Sequence, residues 1–275
     1  VTRPLTRTHT VTTHVAGDHV RPIVVKLGGR TQGDPALPST LASLSAAWHG
    51  RVVIVHGGGD QISEMQQQRG ETPRFVGGRR VTTEGALEVV RMALSGLANK
   101  QLVAAFVAAG LRAVGVSGED DGLLRATPID VDTFGFAGTP VQVDTALLTL
   151  LMQHGFLPVV SPVGAHEDMT RAQPMNINGD DAAAAIAIAL GAEELFFMAD
   201  VPAVLAADRT PIGTVTPDEA LTLIADGTAA GGMAAKLEAG LRAVAQGVTR
   251  VRIGDLAALP RTGAGTTLVA VPAVN

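Results

Sequence analysis

Two lysines, an aspartate and three clusters of glycine are the residues of this sequence best suited to handling phosphate. Lys26 stands one leucine ahead of Gly28 and Gly29 in Ile23-Val-Val-Lys-Leu-Gly-Gly29, and Val52-Val-Ile-Val-His-Gly-Gly-Gly59 ends in glycine the same way. Glycines that close an apolar strand bring bare backbone N–H groups up to a ligand with no Cβ in the way. Gly231-Gly-Met-Ala-Ala-Lys236 sets Lys236 in the first turn of a helix starting near Met233. That helix end is already partly positive, so a lysine sits well there only opposite an anion. Met175-Asn-Ile-Asn-Gly-Asp-Asp181 supplies Asp180 as the carboxylate and Asn176 as a neutral donor and acceptor for an acyl or amide group. Phosphoryl transfer spreads negative charge over the moving oxygens, so fixed cations and N–H donors do most of the work. Each piece also has a plainer reading. Glycine turns a chain after a strand, Asp180 or Asp181 caps a helix, and Lys236 lies on a surface.

The elements that must position these residues follow from apolar periodicity. Strand-like runs recur at 23–25, 52–55, 113–116, 157–160, 195–198, 248–253 and 267–271. Helical patterns lie between them at 37–48, 61–69, 83–94, 96–109, 145–154, 180–190, 217–225 and 234–246. Alternating strands and helices imply right-handed crossovers and a mostly parallel sheet covered on both faces, an α/β fold of three layers. In such a sheet the glycine exits meet at the carboxyl edge. Leu123–Val143 breaks the alternation with Gly, Pro and β-branched residues and predicts antiparallel hairpins, a lid over the sheet edge. A boundary between lobes is expected near Ala172–Asn178. Residues 1–20, rich in Thr and His, predict a loose arm or an added strand.

Composition narrows the classes. Hydrophobic residues make up 46% of the 275 positions but aromatic ones only 3%, so Val, Ala and Leu must fill the core, as in parallel sheets under Ala-rich helices. A net charge of −5 with no Lys/Arg block argues against a nucleic-acid partner. Without cysteine there is neither disulfide nor thiolate metal site, which fits a cytoplasmic location. No apolar stretch approaches the ~20 residues of a membrane span. Neither a Walker sequence nor a kinase catalytic loop is present.

Eight collinear segments resemble the amino-acid kinase superfamily and, within it, the N-acetylglutamate kinases. They are Lys26-Leu-Gly-Gly, His56-Gly-Gly-Gly, Arg80-Val-Thr, Asn99-Lys100, Ser117-Gly-Glu-Asp120, Asn176-Ile-Asn-Gly-Asp180, Asp200-Val-Pro and Gly231-Gly-Met-Ala-Ala-Lys236. The resemblance implies a three-layer α/β/α fold with a β-hairpin lid and phosphorylation of the γ-carboxylate of N-acetyl-L-glutamate by MgATP, the second step of arginine biosynthesis. It further implies that Lys26 and Lys236 stabilise the moving phosphoryl group and that Asp180 organises them. Gly28 and Gly29 would face the phosphates, Gly58 the phosphoryl oxygens, and Gly59 the acyl amino acid. Arg80 would pair with a substrate carboxylate and Asn176 with the other end of that substrate. Asp200, Val201, Leu205, Gly232 and Met233 would belong to the nucleotide pocket. No tightly bound cofactor and no protein-held metal is implied, the Mg²⁺ arriving on ATP. By the same resemblance, residues 21–275 form the kinase domain, with an acyl-amino-acid lobe over about 21–175 and a nucleotide lobe over about 176–275.

Departures from the family pattern carry expectations of their own. Gly77-Gly78 and an added Arg79 stand before Arg80, Ala199 replaces a threonine, and Glu119 replaces a basic residue. The tail from Ile253 to Thr267 is short, and the arm does not read as an amphipathic helix, so an arginine-insensitive homodimer is expected. The alternatives are a kinase for N-succinylglutamate or for carrier-bound aminoadipate, or a non-catalytic amino-acid sensor. The compact Phe75–Arg80 segment and the acidic chain speak against a carrier protein, and two retained lysines against a sensor. His56 reads as a structural residue at a strand end.

Overall fold

Runs of Val, Ile and Leu without polar interruption become strands buried on both faces, and the glycines after them become the turns into the next helix. The computed structural model describes residues 21–269. The predicted arm and the end of the last predicted strand lie outside the described residues. β1 (Ile23–Leu27) passes through a 3₁₀ turn (Arg30–Gly33) into α1 (Leu37–Ala47), and β2 (Val52–His56) leads into α2 (Gly59–Gln68). A hairpin of β3 (Phe75–Val76) and β4 (Arg79–Arg80) precedes α3 (Glu84–Arg91), a π-helical stretch (Met92–Ala98) and α4 (Asn99–Ala108). Next come β5 (Ala113–Gly118), β6 (Leu124–Pro128), α5 (Val131–Phe134), β7 (Ala137–Val143) and α6 (Ala146–Gln153). Then follow β8 (Leu157–His166), β9 (Pro174–Ile177), α7 (Gly179–Ala189), β10 (Glu194–Met198), β11 (Val204–Leu205) and β12 (Pro211–Ile212). The chain closes with β13 (Thr214–Val215), α8 (Pro217–Ala225), α9 (Gly232–Ala245), β14 (Arg250–Gly254) and β15 (Thr266–Leu268).

The centre of the sheet is parallel, in the order β14-β10-β1-β2-β8, with β5 also parallel to β8. Register sets Lys26 beside both Val55 and Phe197, and Leu27 beside His56. The exits of β1, β2 and β10 therefore open side by side at one carboxyl edge. Side-chain alternation then sorts residues to faces. Val24, Val53, Val55 and Phe197 pack toward the Ala-rich α7 and toward α9. Val25, Leu27, Ile54 and Phe196 pack toward α1 and α4. Lys26 shares the parity of Val24 and so faces α7, whereas His56 shares the parity of Ile54 and faces α4.

Three expectations are corrected. Residues 83–94 and 96–109 form one continuous helical rod through the π stretch, because a lone Gly96 is a weak breaker. The β6–β7 hairpin is no separate flap: β6 pairs in parallel with the far half of the ten-residue β8 and extends the main sheet. The cap of α7 is neither aspartate but Asn178, whose side chain accepts from the Asp180 N–H.

Candidate active site

Two of the cavities along the carboxyl edge are separated by a wall of charge. The Lys26 ammonium, at the end of β1, lies 2.9 Å from Asp180 Oδ1, and Lys236 Nζ, in the second turn of α9, lies 3.4 Å from Oδ2. The Lys26 contact is the closer of the two ion pairs. All three side chains are buried. A Cβ on Gly179 would stand 3.2 Å from Lys26 Cε and 3.5 Å from the His56 carbonyl, so a side chain there would press on the Lys26 stem. Burial works to raise the Asp180 carboxyl, but the charges and hydrogen bonds of Lys26 and Lys236 together outweigh it and hold it below the usual carboxylate range. Lys236 is pushed down, first by burial and then by the like charge of Lys26, with Asp180 opposing. Asp180 thus supplies the anion that a lysine near the start of α9 requires.

The first cavity, about 210 Å³, is lined by Lys26, Gly57, Gly58, Gly59, Arg80, Asn176 and Asp180, with Ile62, Phe75, Leu94, Ile129 and Ile177 as its apolar wall. Arg80 is fixed from α2: Nη1 donates to Gln66 Oε1, and Nη2 to Ser63 Oγ at 2.8 Å and to the Gly59 carbonyl at 3.0 Å. Its guanidinium also lies 4.7 Å from the centre of the Phe75 ring. Burial lowers its pKa, with the Asp60 charge opposing. Gln66 is anchored in turn by donating to Glu71 Oε2 at 3.1 Å. Asn176 donates to Thr82 Oγ1 at 2.8 Å. A Cβ on Gly58 would meet Leu94 Cδ2 at 2.7 Å, so the Leu94 side chain would have to shift to admit one.

The second cavity, about 510 Å³, is lined by Gly28, Gly29, Gly59, Asp60, Asp200, Val201, Gly232, Met233 and Lys236, among others. Gly59 borders both. Gln32 Nε2 donates to the Gly57 carbonyl at 2.8 Å and so ties the first glycine exit to the second. Two cavities joined at one glycine, with paired cations on the dividing wall, suit the passage of an anionic group from one to the other.

Every residue given a catalytic or binding role from the sequence borders these cavities except Leu205, which sits in the short β11–β12 hairpin and does not line the second cavity. The sequence reading missed Ser63 and Gln66. Their spacing from Gly59 puts all three on one face of α2, a signal that the polar helix pattern contained. It also missed Asp60 in the second cavity and the Arg79–Asp181–Arg242 cluster. His56 is confirmed away from the cavities, with Nε2 3.2 Å from Asn99 Nδ2 and Nδ1 2.9 Å from the Gly57 carbonyl. Burial first, opposed by that backbone contact and helped by Lys26 and Lys100, lowers its pKa to about 4.

Comparison with known proteins adds three kinds of likeness. The model of the amino acid kinase family matches residues 21–255. An acetylglutamate kinase of Roseiflexus sp. (strain RS-1) is 40% identical over 249 residues, 90% of this chain and 93% of that protein. One from Geobacillus thermodenitrificans (strain NG80-2) is 42% identical over 84% of this chain and 88% of its own length. Among solved structures, a protein of Streptococcus mutans UA159 superposes with a TM-score of 0.81 at 26% identity, covering 91% of this chain and 99% of its own.

Proposed function

Because the chain belongs to the amino acid kinase family, we propose that it transfers the γ-phosphoryl group of ATP to the γ-carboxylate of N-acetyl-L-glutamate. The observation that carries this reading is the Lys26–Asp180–Lys236 bridge standing between two cavities that meet at Gly59. In the smaller cavity the guanidinium charge of Arg80, held in place by α2, and its remaining N–H donors face the substrate's α-carboxylate. Asn176 holds the acylamino end, and the apolar wall takes the acetyl methyl. The γ-carboxylate then faces Lys26. ATP occupies the larger cavity, its phosphates against Gly28, Gly29 and Lys236 and its nucleoside toward Asp200, Val201 and Met233. Mg²⁺ enters as part of that substrate.

A carboxylate oxygen attacks Pγ as the bond from Pγ to the β–γ bridging oxygen breaks, giving an acyl phosphate and ADP. The acceptor is already ionised at neutral pH, so no general base is needed. Lys26 and Lys236 stay on the moving phosphoryl group throughout, and Asp180 keeps the two ammoniums from driving each other apart. The halves on either side of about residue 175 correspond in this reading to the acyl-amino-acid and nucleotide lobes. We also propose a cytoplasmic homodimer without arginine feedback, to be checked by light scattering and by adding arginine to the assay.

The test is ADP release, or acyl phosphate trapped as hydroxamate, with N-acetylglutamate, N-succinylglutamate, free glutamate and N-acetyl-aminoadipate side by side. N-acetylglutamate should have the highest kcat/KM. Equal or faster turnover with any of the other three would overturn the assignment.

A further inference from the structure

α7 opens with two adjacent carboxylates, and only the first serves the lysines. Asp181, 8% exposed, accepts from Arg79 Nη1 at 2.8 Å through Oδ2 and pairs with Arg242 Nη2 through Oδ1. Its partners lie on different elements of the site, one on the hairpin beside the smaller cavity and one on the helix whose start lines the larger. Arg79 lines the smaller cavity from the β3–β4 hairpin, next to Arg80. Arg242 lies on α9, six residues after Lys236 and about 9 Å further along the axis. Asp180 and Asp181 are thus parallel bridges from one helix start. The first joins β1 to α9, and the second joins the hairpin to α9.

Packing alone does not require the second bridge. α7 and α9 already meet through apolar residues, with Ala183, Ala187, Leu237 and Ala239 in one core cluster. The hairpin is different: it has two residues per strand and exposes Phe75 and Val76. Its neighbour Arg80 ties it to α2, in the first half of the chain. Arg79 ties it to a residue 102 positions later. A carboxylate largely withdrawn from water and shared by two guanidiniums is costly to leave with one partner missing, so the three elements tend to move together.

We propose that Asp181 is a positioning residue that makes the hairpin over the acceptor cavity and helix α9 of the nucleotide cavity move as one, so that filling either cavity is felt at the other. This rests on the two-substrate reading above. By linkage the effect is reciprocal, with coupling of about 5- to 10-fold at the lower end of the common range.

Amide hydrogen exchange of residues 75–82 tests it, measured with and without the magnesium complex of the non-hydrolysable analogue AMPPNP and with no acceptor present. In the unaltered chain the nucleotide should slow exchange in the hairpin at least about threefold. Asp181→Asn and Arg242→Gln should abolish that slowing while calorimetry still records nucleotide binding. Calorimetry with N-acetylglutamate present should give tighter AMPPNP binding in the unaltered chain and less than a twofold change in either variant. Arg79→Gln and Arg242→Gln alter half-exposed side chains and keep the test open if Asp181→Asn does not fold. Hairpin slowing without any response to N-acetylglutamate supports the coupling and rejects only the acceptor. Turnover with N-acetylglutamate but no hairpin slowing by nucleotide, or slowing that survives in the variants, overturns the coupling and leaves the activity standing.

Discussion

The sheet carries a polar node on each face at its carboxyl edge, and the two are settled in opposite ways. Toward α7, Lys26, Asp180 and Lys236 are buried as three charges in direct contact. Toward α4, His56 is fully buried yet kept neutral, held by Asn99 and by the Gly57 carbonyl. The parity of neighbouring strand residues assigns each node to its face. The difference teaches that charge persists in this interior where a partner is built beside it, as around Asp180 and again in the fully buried Glu194–Arg252 pair away from both cavities. Where only an amide and a carbonyl stand beside it, as at His56, the buried ionisable group gives up its proton instead.

Breaking the charged node should have the largest effect. Asp180→Ala leaves two buried ammoniums facing each other, and stability should fall by about 3–5 kcal/mol in denaturant melts. A loss under 1 kcal/mol would mean that water already screens the bridge. Arg80→Ala should raise the KM for N-acetylglutamate about 100-fold with a smaller change in the KM for ATP, measured in steady-state assays.

The neutral node should respond to pH instead. The His56 pKa is lowered on folding from about 6.5 to about 4, so the unfolded chain binds more protons between those values and stability rises with pH across that window. From pH 7 to pH 5 this residue should account for a loss of about 2 kcal/mol, and the His56→Gln variant should lack that part of the slope. Acid melts of both proteins measure it. An identical slope in each would place the titration elsewhere. The smallest effect is expected from Gln66→Leu, which removes one of the Arg80 supports and should raise the N-acetylglutamate KM about three- to tenfold.

The charged node was legible in the sequence because each member sits where local pattern fixes it: Lys26 at the end of an apolar strand, Asp180 and Lys236 at helix starts. The alternation of strands and helices likewise supplied the parallel centre of the sheet. What local pattern could not supply were contacts made by packing. Gln66 reaches Arg80 across 14 residues and Asp181 reaches Arg79 across 102, and local pattern names the partner of neither. Leu205 followed the motif around Asp200, but the chain turns into the β11–β12 hairpin before it can line the cavity. The division expected between 83–94 and 96–109 failed for a related reason: the packing of Ala93, Leu94 and Ala98 carries the rod through the π stretch. Similarly, residues that alternate like a free hairpin at 123–143 found a partner in the far half of β8.

The central claim is that the lysines on the dividing wall act on the moving phosphoryl group rather than on the binding of either substrate. Single-turnover formation of acyl phosphate, trapped as hydroxamate with enzyme in excess over ATP, measures that step in Lys26→Ala and Lys236→Ala. The account predicts a rate lowered about 10²–10³-fold in each, with the N-acetylglutamate Kd changed less than about threefold. A single-turnover rate equal to that of the unaltered protein, or a loss that appears only as weaker N-acetylglutamate binding, would contradict it.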